Sequence, residues 1–343
     1  MIKRERFERG TSIDAYIIQR LIGQGGYGDI YLVKNSEVRK YYAMKVEHSS
    51  AQRTALKKEA SYLKKVDGSR YFSHLVAYNE LDDIRYLVME LLGPSISYLR
   101  KKVPNKKFSL STALRLSVFM LRGIKESHKF GMVHRDIKPG NFLLRNSQEF
   151  PVVIIDLGLS KDYIDPITGF FYEEKQLSGF KGTLRYASLN SHHHQDLGRK
   201  DDLISWMYSL IEMISGKLPW HEAKELEQAQ RIKEGTADIL LFEGMPSSLI
   251  RIFKYINTLG FYCEPNYDLI EEALLSTVLD SGSKLNSEFD WEFLEPKDLR
   301  RASPYISLPK GSTIISLEAP KKQLIQILLE LEGVAPSTCC LLL

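Results

Sequence analysis

The 343-residue sequence is poor in cysteine, has no long apolar run and carries little net charge. Its three cysteines, Cys263 and the adjacent Cys339 and Cys340, cannot form a disulfide framework, which predicts a reducing, intracellular environment. No apolar stretch approaches the roughly 18 residues of a membrane-spanning helix. The formal charge of +4 is too small to indicate nucleic-acid binding. The hydrophobic share of 43% predicts a large core, in one bilobal unit or two modest domains.

The N-terminus carries no recognisable targeting signal. Residues 1–6 (MIKRER) lack the apolar core of a signal peptide, and Ile2 stands where N-myristoylation needs glycine. We therefore expect a cytoplasmic protein whose membrane contact, if it has one, comes from another part of the chain.

A short polar stretch, residues 134–141 (HRDIKPGN), lies between two apolar runs. Lys138 and Asn141 follow Asp136 by two and five residues. This spacing puts a proton acceptor, a phosphate-binding cation and a metal ligand on one loop, as transfer of a phosphoryl group to a hydroxyl requires. An isolated HRD tripeptide would be an ordinary polar turn. The extended pattern, H-R-D-I-K-P-x-N, matches the catalytic loop of protein kinases at every position.

A glycine-rich turn connects the first two of three predicted strands, which cover residues 16–22, 30–33 and 41–47. Its pattern is G-x-G-x-x-G-x-I, formed by Gly23, Gly25, Gly28 and Ile30, and it would let backbone amides approach phosphate oxygens. A hairpin without ligand and a dinucleotide-binding turn are the alternatives. The second needs a helix directly after the glycines, whereas a strand pattern follows here.

The third strand and the next predicted helix carry a candidate ion pair. Ala43 and Lys45 belong to an A-M-K-V segment of the V-A-I-K type, in which the lysine meets the α- and β-phosphates. Apolar residues at helical spacing predict a helix over residues 53–66, and Glu59 lies on it. We expect Lys45 to pair with Glu59, although a surface glutamate would be the ordinary case.

Two more predicted strands, residues 74–78 and 84–90, complete a five-stranded antiparallel sheet. Met89, Glu90 and Leu92 lead into a Gly-Pro break, which suits a hinge whose backbone binds the adenine edge. A helix is then predicted from the N-cap Ser109 to a stop at Gly131. A buried strand, residues 152–155, ends in Asp156-Leu157-Gly158, where Asp156 could hold Mg²⁺ and Leu157 replaces the usual phenylalanine.

Four further segments closely resemble the casein kinase 1 superfamily: residues 90–95 (ELLGPS), 182–190 (GTLRYASLN), 198–203 (GRKDDL) and 216–220 (GKLPW). Residues 179–183 (GFKGT) and 224–228 (KELEQ) look most like its tau-tubulin kinase branch. The resemblance runs from about residue 13 to residue 291. It implies an α+β, bilobal protein kinase fold, with a five-stranded N-lobe carrying one main helix and a mainly helical C-lobe. The expected limits are 1–92, 93–295 and a tail, 296–343.

The resemblance also implies residue roles, with ATP and Mg²⁺ as cofactors. Asp136 would accept the substrate proton, Lys138 would stabilise the transferred group, Asn141 and Asp156 would hold metal, and Asp202 would anchor the catalytic loop. The nucleotide would contact Gly23, Gly25, Gly28, Ile30, Ala43, Lys45, Glu59, Met89, Glu90, Leu92 and Leu143.

Three basic residues, Arg185, Lys217 and Lys224, match family positions that bind an anion, such as a phosphate already present on the substrate. Three solvated surface cations are the alternative. The run His192-His193-His194 lacks the ligand spacing of a closed zinc site, and we interpret it as a solvated connecting loop.

The tail contains two further signals. Residues 320–331 have helical periodicity, and this helix could dock on the catalytic domain, bind a partner or touch a membrane. Residues 340–343 (CLLL) form a C-a-a-X sequence that predicts geranylgeranylation of Cys340, and acylation of Cys339 could supply a second anchor. A disordered apolar end is the alternative.

The sequence thus predicts a monomeric Ser/Thr protein kinase that acts on protein substrates, favours acidic or pre-phosphorylated sites, and is cytoplasmic or lipid-anchored at a membrane. The main alternative is a catalytically weak pseudokinase scaffold tethered by its C-terminus. A metabolic small-molecule kinase fits less well, because residues 185–190 resemble a platform for a protein substrate.

Overall fold

The computed structural model describes residues 6–25, 28–48, 55–295, 299, 307–314 and 316–319. The chain forms two compact units. The first comprises Met1–Leu92 together with Asp156–Gly158, and the second comprises Gly93–Ile155 and Leu159–Leu343.

The first unit is built on an antiparallel sheet of six strands in the order β1-β2-β3-β4-β6-β5. These strands are Ser12–Ile13, Tyr16–Gly25, Gly28–Asn35, Tyr41–His48, Leu75–Glu80 and Ile84–Glu90. The prediction of five strands is therefore one short, because the two residues of β1 pair with the start of β2. So short a segment has no period that a sequence pattern could reveal.

Alternating apolar side chains of the sheet form a core that includes Ile18, Tyr31, Val33 and Met44. The helix α1, Ala55–Lys65, buries Leu56, Ala60 and Leu63, the apolar positions that its periodicity predicts. This helix packs against β4, β5 and β6. Burial of that face fixes the rotation of α1 about its axis and turns Glu59 inward.

The second unit is mainly helical and contains α2 to α9: Ile96–Arg100, Leu110–Lys129, Leu189–His192, Arg199–Ser215, Leu226–Gly235, Asp238–Leu241, Ser247–Thr258 and Tyr267–Asp280. Four short strands, β7 to β10, cover Met132–Val133, Phe142–Leu144, Val152–Ile154 and Lys161–Asp162, and they pair as β7 with β10 and β8 with β9.

The central helix of this unit is α3, which packs against α5 and α9. Ser109 caps α3 as predicted, because its hydroxyl accepts a hydrogen bond from the N–H of Thr112 at 3.2 Å. Asp290 accepts a bond from the N–H of Ser109 at 2.6 Å and so connects the end of the region of resemblance to the start of α3. The predicted α+β architecture, with an antiparallel sheet in the first unit and a mainly helical second unit, is therefore present.

A segment beyond the region of resemblance also packs on the second unit. The indole N–H of Trp291 donates to the carbonyl of Pro309 at 3.2 Å, and Glu292 accepts from the N–H of Gly311 at 2.7 Å. A Cβ atom at Gly311 would lie 1.8 Å from the carbonyl oxygen of Ser287, so only glycine fits. Residues 307–314 are thus docked, whereas the helix predicted over residues 320–331 lies outside the described residues.

No helix among the residues that the structure describes is long and apolar enough to cross a membrane.

Candidate active site

The first unit brings three buried or half-buried charges together. The ammonium of Lys45 on β4 lies 2.6 Å from a carboxylate oxygen of Glu59 on α1 and 2.9 Å from Asp156. The ion pair that the sequence predicts between Lys45 and Glu59 is therefore present. Burial lowers the pKa of Lys45, but the two carboxylates outweigh burial and raise the net pKa above its ordinary value. Lys45 is consequently a fixed cation at neutral pH.

The glycines lie on the hairpin formed by β2 and β3. Gly23 pairs with Ile30, and Gly25 pairs with Gly28. A Cβ atom at Gly28 would lie 2.2 Å from the carbonyl oxygen of Val46 on β4, so this glycine is required by close backbone approach. The G-x-G-x-x-G pattern thus meets a packing demand of the sheet in addition to the predicted phosphate contact.

Further residues of the predicted nucleotide-contacting set lie on neighbouring strands of the same sheet. Ala43 on β4 pairs with Met89 on β6, and both side chains are buried. The N–H of Glu90 donates to the carbonyl of His74 at 3.1 Å, which fixes the backbone just before the end of the unit at Leu92. The remaining residue of the predicted set, Leu143, lies on β8 in the second unit.

Asp156 occupies the left-handed region of backbone space, with φ of 65°. That conformation is uncommon outside glycine, and such strain is concentrated at functional sites. Its neighbour Leu157 is fully buried, so the leucine that replaces phenylalanine retains an apolar, packed position.

The second unit holds the catalytic loop, in which three side chains are directly bonded. Lys138 donates from its ammonium to Asp136 at 2.6 Å and to the hydroxyl oxygen of Thr183 at 2.8 Å. The Thr183 hydroxyl in turn donates to the other oxygen of Asp136 at 2.7 Å. Asp136 is thereby fixed from both sides. Sequence reasoning missed this role of Thr183.

Two further residues of the loop orient Asp136 and its surroundings. Asn141 donates through its amide nitrogen to the backbone carbonyl of Asp136 at 2.9 Å and to its carboxylate at 3.2 Å. The Nδ1 atom of His134 accepts the N–H of Asp136 at 3.2 Å, so its Nε2–H donates to the carbonyl of Ile155 at 3.1 Å. His134 therefore joins the loop to the residue that follows β9.

Asp202, in the first turn of α5, anchors the same loop, as the sequence predicts. Its two oxygens accept the N–H groups of His134 at 2.7 Å and of Arg135 at 2.8 Å. The fully buried His128 contacts Asp202 through Nε2 at 3.0 Å and Tyr267 through Nδ1 at 2.6 Å.

These contacts determine the protonation states of His128 and Asp202. Burial lowers the pKa of His128 more than Asp202 raises it, so the imidazole is neutral at pH 7 and donates from Nε2. Burial raises the pKa of Asp202, but bonds from His128 and from the N–H of His134 outweigh it, and the net pKa lies below the ordinary value. Asp202 is therefore an anion that three hydrogen-bond donors stabilise.

The predicted anion-binding residues have different surroundings. The guanidinium of Arg185 donates to Glu212 at 2.9 Å and to the carbonyl of His221 at 3.2 Å, and 39% of its side chain is exposed. Lys217 and Lys224 are exposed, and neither forms an ion pair within the described part of the chain. Part of the hydrogen-bonding capacity of Arg185 is therefore used by the carboxylate of Glu212, a contact that sequence reasoning missed.

The three histidines are not a uniformly solvated loop, which corrects that prediction. His192 ends the short helix α4 and is 98% buried, because its ring packs edge-on against Phe180 and its Nε2 lies 3.0 Å from the ammonium of Lys233. His193 is exposed and lies 2.7 Å from Glu234. Adjacent residues on a helical turn face different surroundings, which composition alone does not reveal.

The comparisons with known proteins all indicate the same class of protein. The family model described as protein kinase domain matches residues 16–274. A Dictyostelium discoideum protein described as "Probable serine/threonine-protein kinase" is 35% identical over 83% of this chain, and that match spans 58% of its own length. Serine/threonine-protein kinase spe-6 of Caenorhabditis elegans is 30% identical over 83% of this chain and 77% of its own. A casein kinase I homolog of Encephalitozoon cuniculi is 32% identical over 84% of this chain and 97% of its own.

The chain belongs to the protein kinase domain family. Its relatives are Ser/Thr protein kinases, which are transferases, and members of this family use ATP and a metal ion in general and act on proteins.

The geometry of Asp202 generates a prediction. Asp202→Asn should lower both the melting temperature and kcat, the latter at least about tenfold, because the amide nitrogen would face one of the two backbone N–H donors and leave it unpaired. Thermal unfolding and phosphotransfer assays at pH 7 measure both, and Asp268→Asn, which changes an exposed carboxylate, is the control. Since the pKa of Asp202 is depressed, its stabilising charge is fully present at pH 7 and is lost only in acid. Unchanged kcat would contradict the anchoring role.

Proposed function

We propose that this protein is an active Ser/Thr kinase that transfers the γ-phosphoryl group of ATP to hydroxyl groups of protein substrates. The observation that carries the proposal is the closed set of bonds among Asp136, Lys138 and Thr183. A carboxylate, an ammonium and a hydroxyl within hydrogen-bond distance of one another form a proton acceptor with a cation beside it. Phosphoryl transfer to a hydroxyl needs this combination.

In the proposed reaction, the substrate oxygen attacks the γ-phosphorus, the bond to the leaving oxygen of ADP breaks, and the hydroxyl proton passes to Asp136. Oδ2 of Asp136 already accepts bonds from Lys138 and Asn141, whereas Oδ1 accepts one from Thr183 and retains a lone pair for the substrate hydroxyl, since a carboxylate oxygen carries two lone pairs. Lys138 places positive charge beside the transferred group. Lys45, held by Glu59, would bind the α- and β-phosphates.

The donor atoms of the predicted metal ligands suit Mg²⁺, which prefers oxygen. The amide nitrogen of Asn141 is engaged by Asp136, which leaves its amide oxygen as the atom that could ligate a cation. Asp156 supplies a carboxylate. Mg²⁺ would neutralise charge on the phosphate oxygens when bound.

The alternative of a pseudokinase scaffold does not explain these contacts. A scaffold needs neither the pairing of Lys45 with Glu59 nor the bonds that fix Asp136. Buried ion pairs contribute little net stability compared with apolar packing, so stability alone gives no reason to keep them.

The decisive experiment is transfer of labelled phosphate from ATP in the presence of Mg²⁺ to casein. The wild-type chain should be active, and Asp136→Asn should lose at least about a thousandfold in kcat, because the amide cannot accept the proton. ATP binding and the melting temperature should be retained, and Asp83→Asn, on an exposed turn, should behave as wild type. A folded wild-type protein that binds ATP without transferring phosphate would favour the scaffold.

The proposed substrates carry acidic or phosphorylated residues, as the likeness to the casein kinase 1 superfamily and its tau-tubulin kinase branch suggests. The charges around Arg185 support this preference. Glu212 is buried and bonds two guanidinium groups, those of Arg185 at 2.9 Å and Arg100 at 3.3 Å. Two cations therefore face one anion, and the excess positive charge belongs to the exposed Arg185. A phosphate on the substrate would complement it, together with Lys217 and Lys224.

The double variant Arg185→Ala and Lys224→Ala should lower kcat/KM about tenfold or more on a pre-phosphorylated peptide. On the unphosphorylated peptide of the same sequence, kcat/KM should fall by less than about threefold. The difference is expected because each lost charge-assisted bond weakens binding of the phosphate only. The control is the double variant Arg251→Ala and Lys254→Ala, which removes two cations from α8. Equal losses on the two peptides would contradict the proposed anion site.

We also propose a monomeric, cytoplasmic kinase that a C-terminal lipid attaches to membranes. The support is the sequence CLLL at residues 340–343, which lies outside the described residues, with Cys339 as a second acyl acceptor. One lipid holds a protein only marginally, so two modifications would be needed for stable attachment.

Intact-mass analysis of protein purified from its native cells should show geranylgeranylation of Cys340 and loss of residues 341–343. A Cys340→Ser variant should lack the modification and move to the soluble fraction. An unmodified, full-length C-terminus would contradict the proposal.

A further inference from the structure

Lys233 on α6 is a buried lysine with an unusual set of partners. Only 5% of the residue is exposed. Its ammonium donates to the carbonyl oxygens of Leu184 at 2.8 Å and Ala187 at 2.6 Å. It also lies 3.0 Å from Nε2 of His192, and no carboxylate forms an ion pair with it in the part of the chain that the structure describes. The ammonium of Lys233 therefore donates to backbone carbonyls, and both carbonyls belong to the turn that begins at Thr183.

The turn formed by residues 183–188 depends on side chains of other segments for its backbone bonds. The carbonyl of Thr183 accepts the N–H groups of Tyr186 at 2.8 Å and Ala187 at 2.9 Å. The next carbonyls cannot be satisfied within so tight a turn. The indole of Trp220 donates to the carbonyl of Arg185 at 2.7 Å, and Lys233 supplies the donors for Leu184 and Ala187. Lys233 thus contributes two of these three bonds.

The same turn carries both functional features of this region. At its start, the hydroxyl of Thr183 bonds Asp136 at 2.7 Å, and one residue after Leu184 the side chain of Arg185 reaches Glu212 at 2.9 Å. A shift of the Leu184 and Ala187 carbonyls would therefore displace a partner of the proton acceptor and the cation proposed to contact the substrate.

The charge of Lys233 does not alter these bonds. The ionisable groups that face it are His192 on α4 and Tyr208 on α5, and its ammonium lies 5.2 Å from the ring centre of Trp220. Burial lowers the pKa of Lys233 to about 7 and that of His192 to about 4, so the imidazole is neutral. An ammonium has three hydrogens for two carbonyls and the imidazole; a neutral amine has two for the carbonyls and can accept from His192. Both forms keep the two carbonyl bonds.

We propose that Lys233 is a positioning residue, which holds the 183–188 turn in register with Asp136 and sets the placement of protein substrate. The inference rests on the proposed kinase function. It assigns to α6 a role in catalysis that acts only through the backbone of Leu184 and Ala187.

The test compares wild type with Lys233→Met, which keeps the buried apolar stem and removes the donor, and with Arg231→Met, which removes an exposed cation from the same helix. Lys233→Met should lower kcat/KM for a peptide substrate at least about tenfold, as expected when two buried carbonyls lose their hydrogen-bond donor. The KM for ATP should change by less than about twofold. Amide hydrogen exchange of residues 184–188 should accelerate, while exchange in α3 is unchanged.

Stability supplies a second signature. Between pH 7 and pH 10.5 the unfolded chain retains a proton on Lys233 that the folded chain has released, so the free energy of unfolding should rise with pH more steeply for wild type than for Lys233→Met. If Lys233→Met does not fold, Lys233→Gln keeps a neutral donor and should show smaller changes of the same kind.

The outcomes separate the two proposals. Unchanged exchange of residues 184–188 in a folded Lys233→Met protein overturns the positioning role, as does an equal increase in the KM values for ATP and peptide. The exchange measurement needs no catalysis, so an inactive wild-type protein would reject the proposed function while the role of Lys233 in the turn is still decided.

Discussion

The carboxylate of Asp202 is the constraint on which the catalytic loop depends. It is 99% buried, and its oxygens accept two consecutive backbone N–H groups and the imidazole of His128. An anion placed in so dry a position must be matched by donors, because an unpaired buried charge costs several kcal/mol, on the order of 3–5. The loop can supply its two N–H groups only in one backbone conformation. The cost of leaving Asp202 unpaired therefore selects that conformation, including the left-handed φ of 64° at Arg135.

Further contacts apply the same principle to the segments around Asp136. Buried or half-buried side chains on helices and adjoining loops donate to carbonyls or accept N–H groups of the segments that carry chemistry: Asp202 for the loop, and Lys233 and Trp220 for the turn of residues 183–188. A tight turn cannot pair all of its own polar groups, and unpaired buried carbonyls are costly. Donors held by Lys233 on α6 and by the buried Trp220 between α5 and α6 restrict the movement of this turn. Precision at Thr183 and Arg185 follows from packing of α5 and α6.

Sequence patterns predicted those features that have a fixed spacing. The helix α3 begins at its predicted cap, the pair of Lys45 and Glu59 forms, and the strands of the first sheet lie within a few residues of their predicted ends. The misses share a physical cause. The two residues of β1 have no period, and the roles of Thr183, Glu212 and Lys233 depend on contacts between residues far apart in the chain. Burial of His192 likewise depends on α6, with which α4 packs. A local pattern contains no information about such partners.

The density of buried charge bears on whether the site is used for chemistry. Lys45, Glu59 and Asp202 are each more than nine-tenths buried, and Lys233 is buried with no carboxylate beside it. Apolar residues of similar volume would often stabilise such positions as well or better, since desolvation offsets the attraction within an ion pair. Asp156 and Arg135 add left-handed backbone conformations, which cost further free energy outside glycine. A fold under selection for stability alone would gain from losing these features. Their presence in each of the two units is explained by the proposed function, because binding phosphate and moving a proton are requirements that a scaffold does not have.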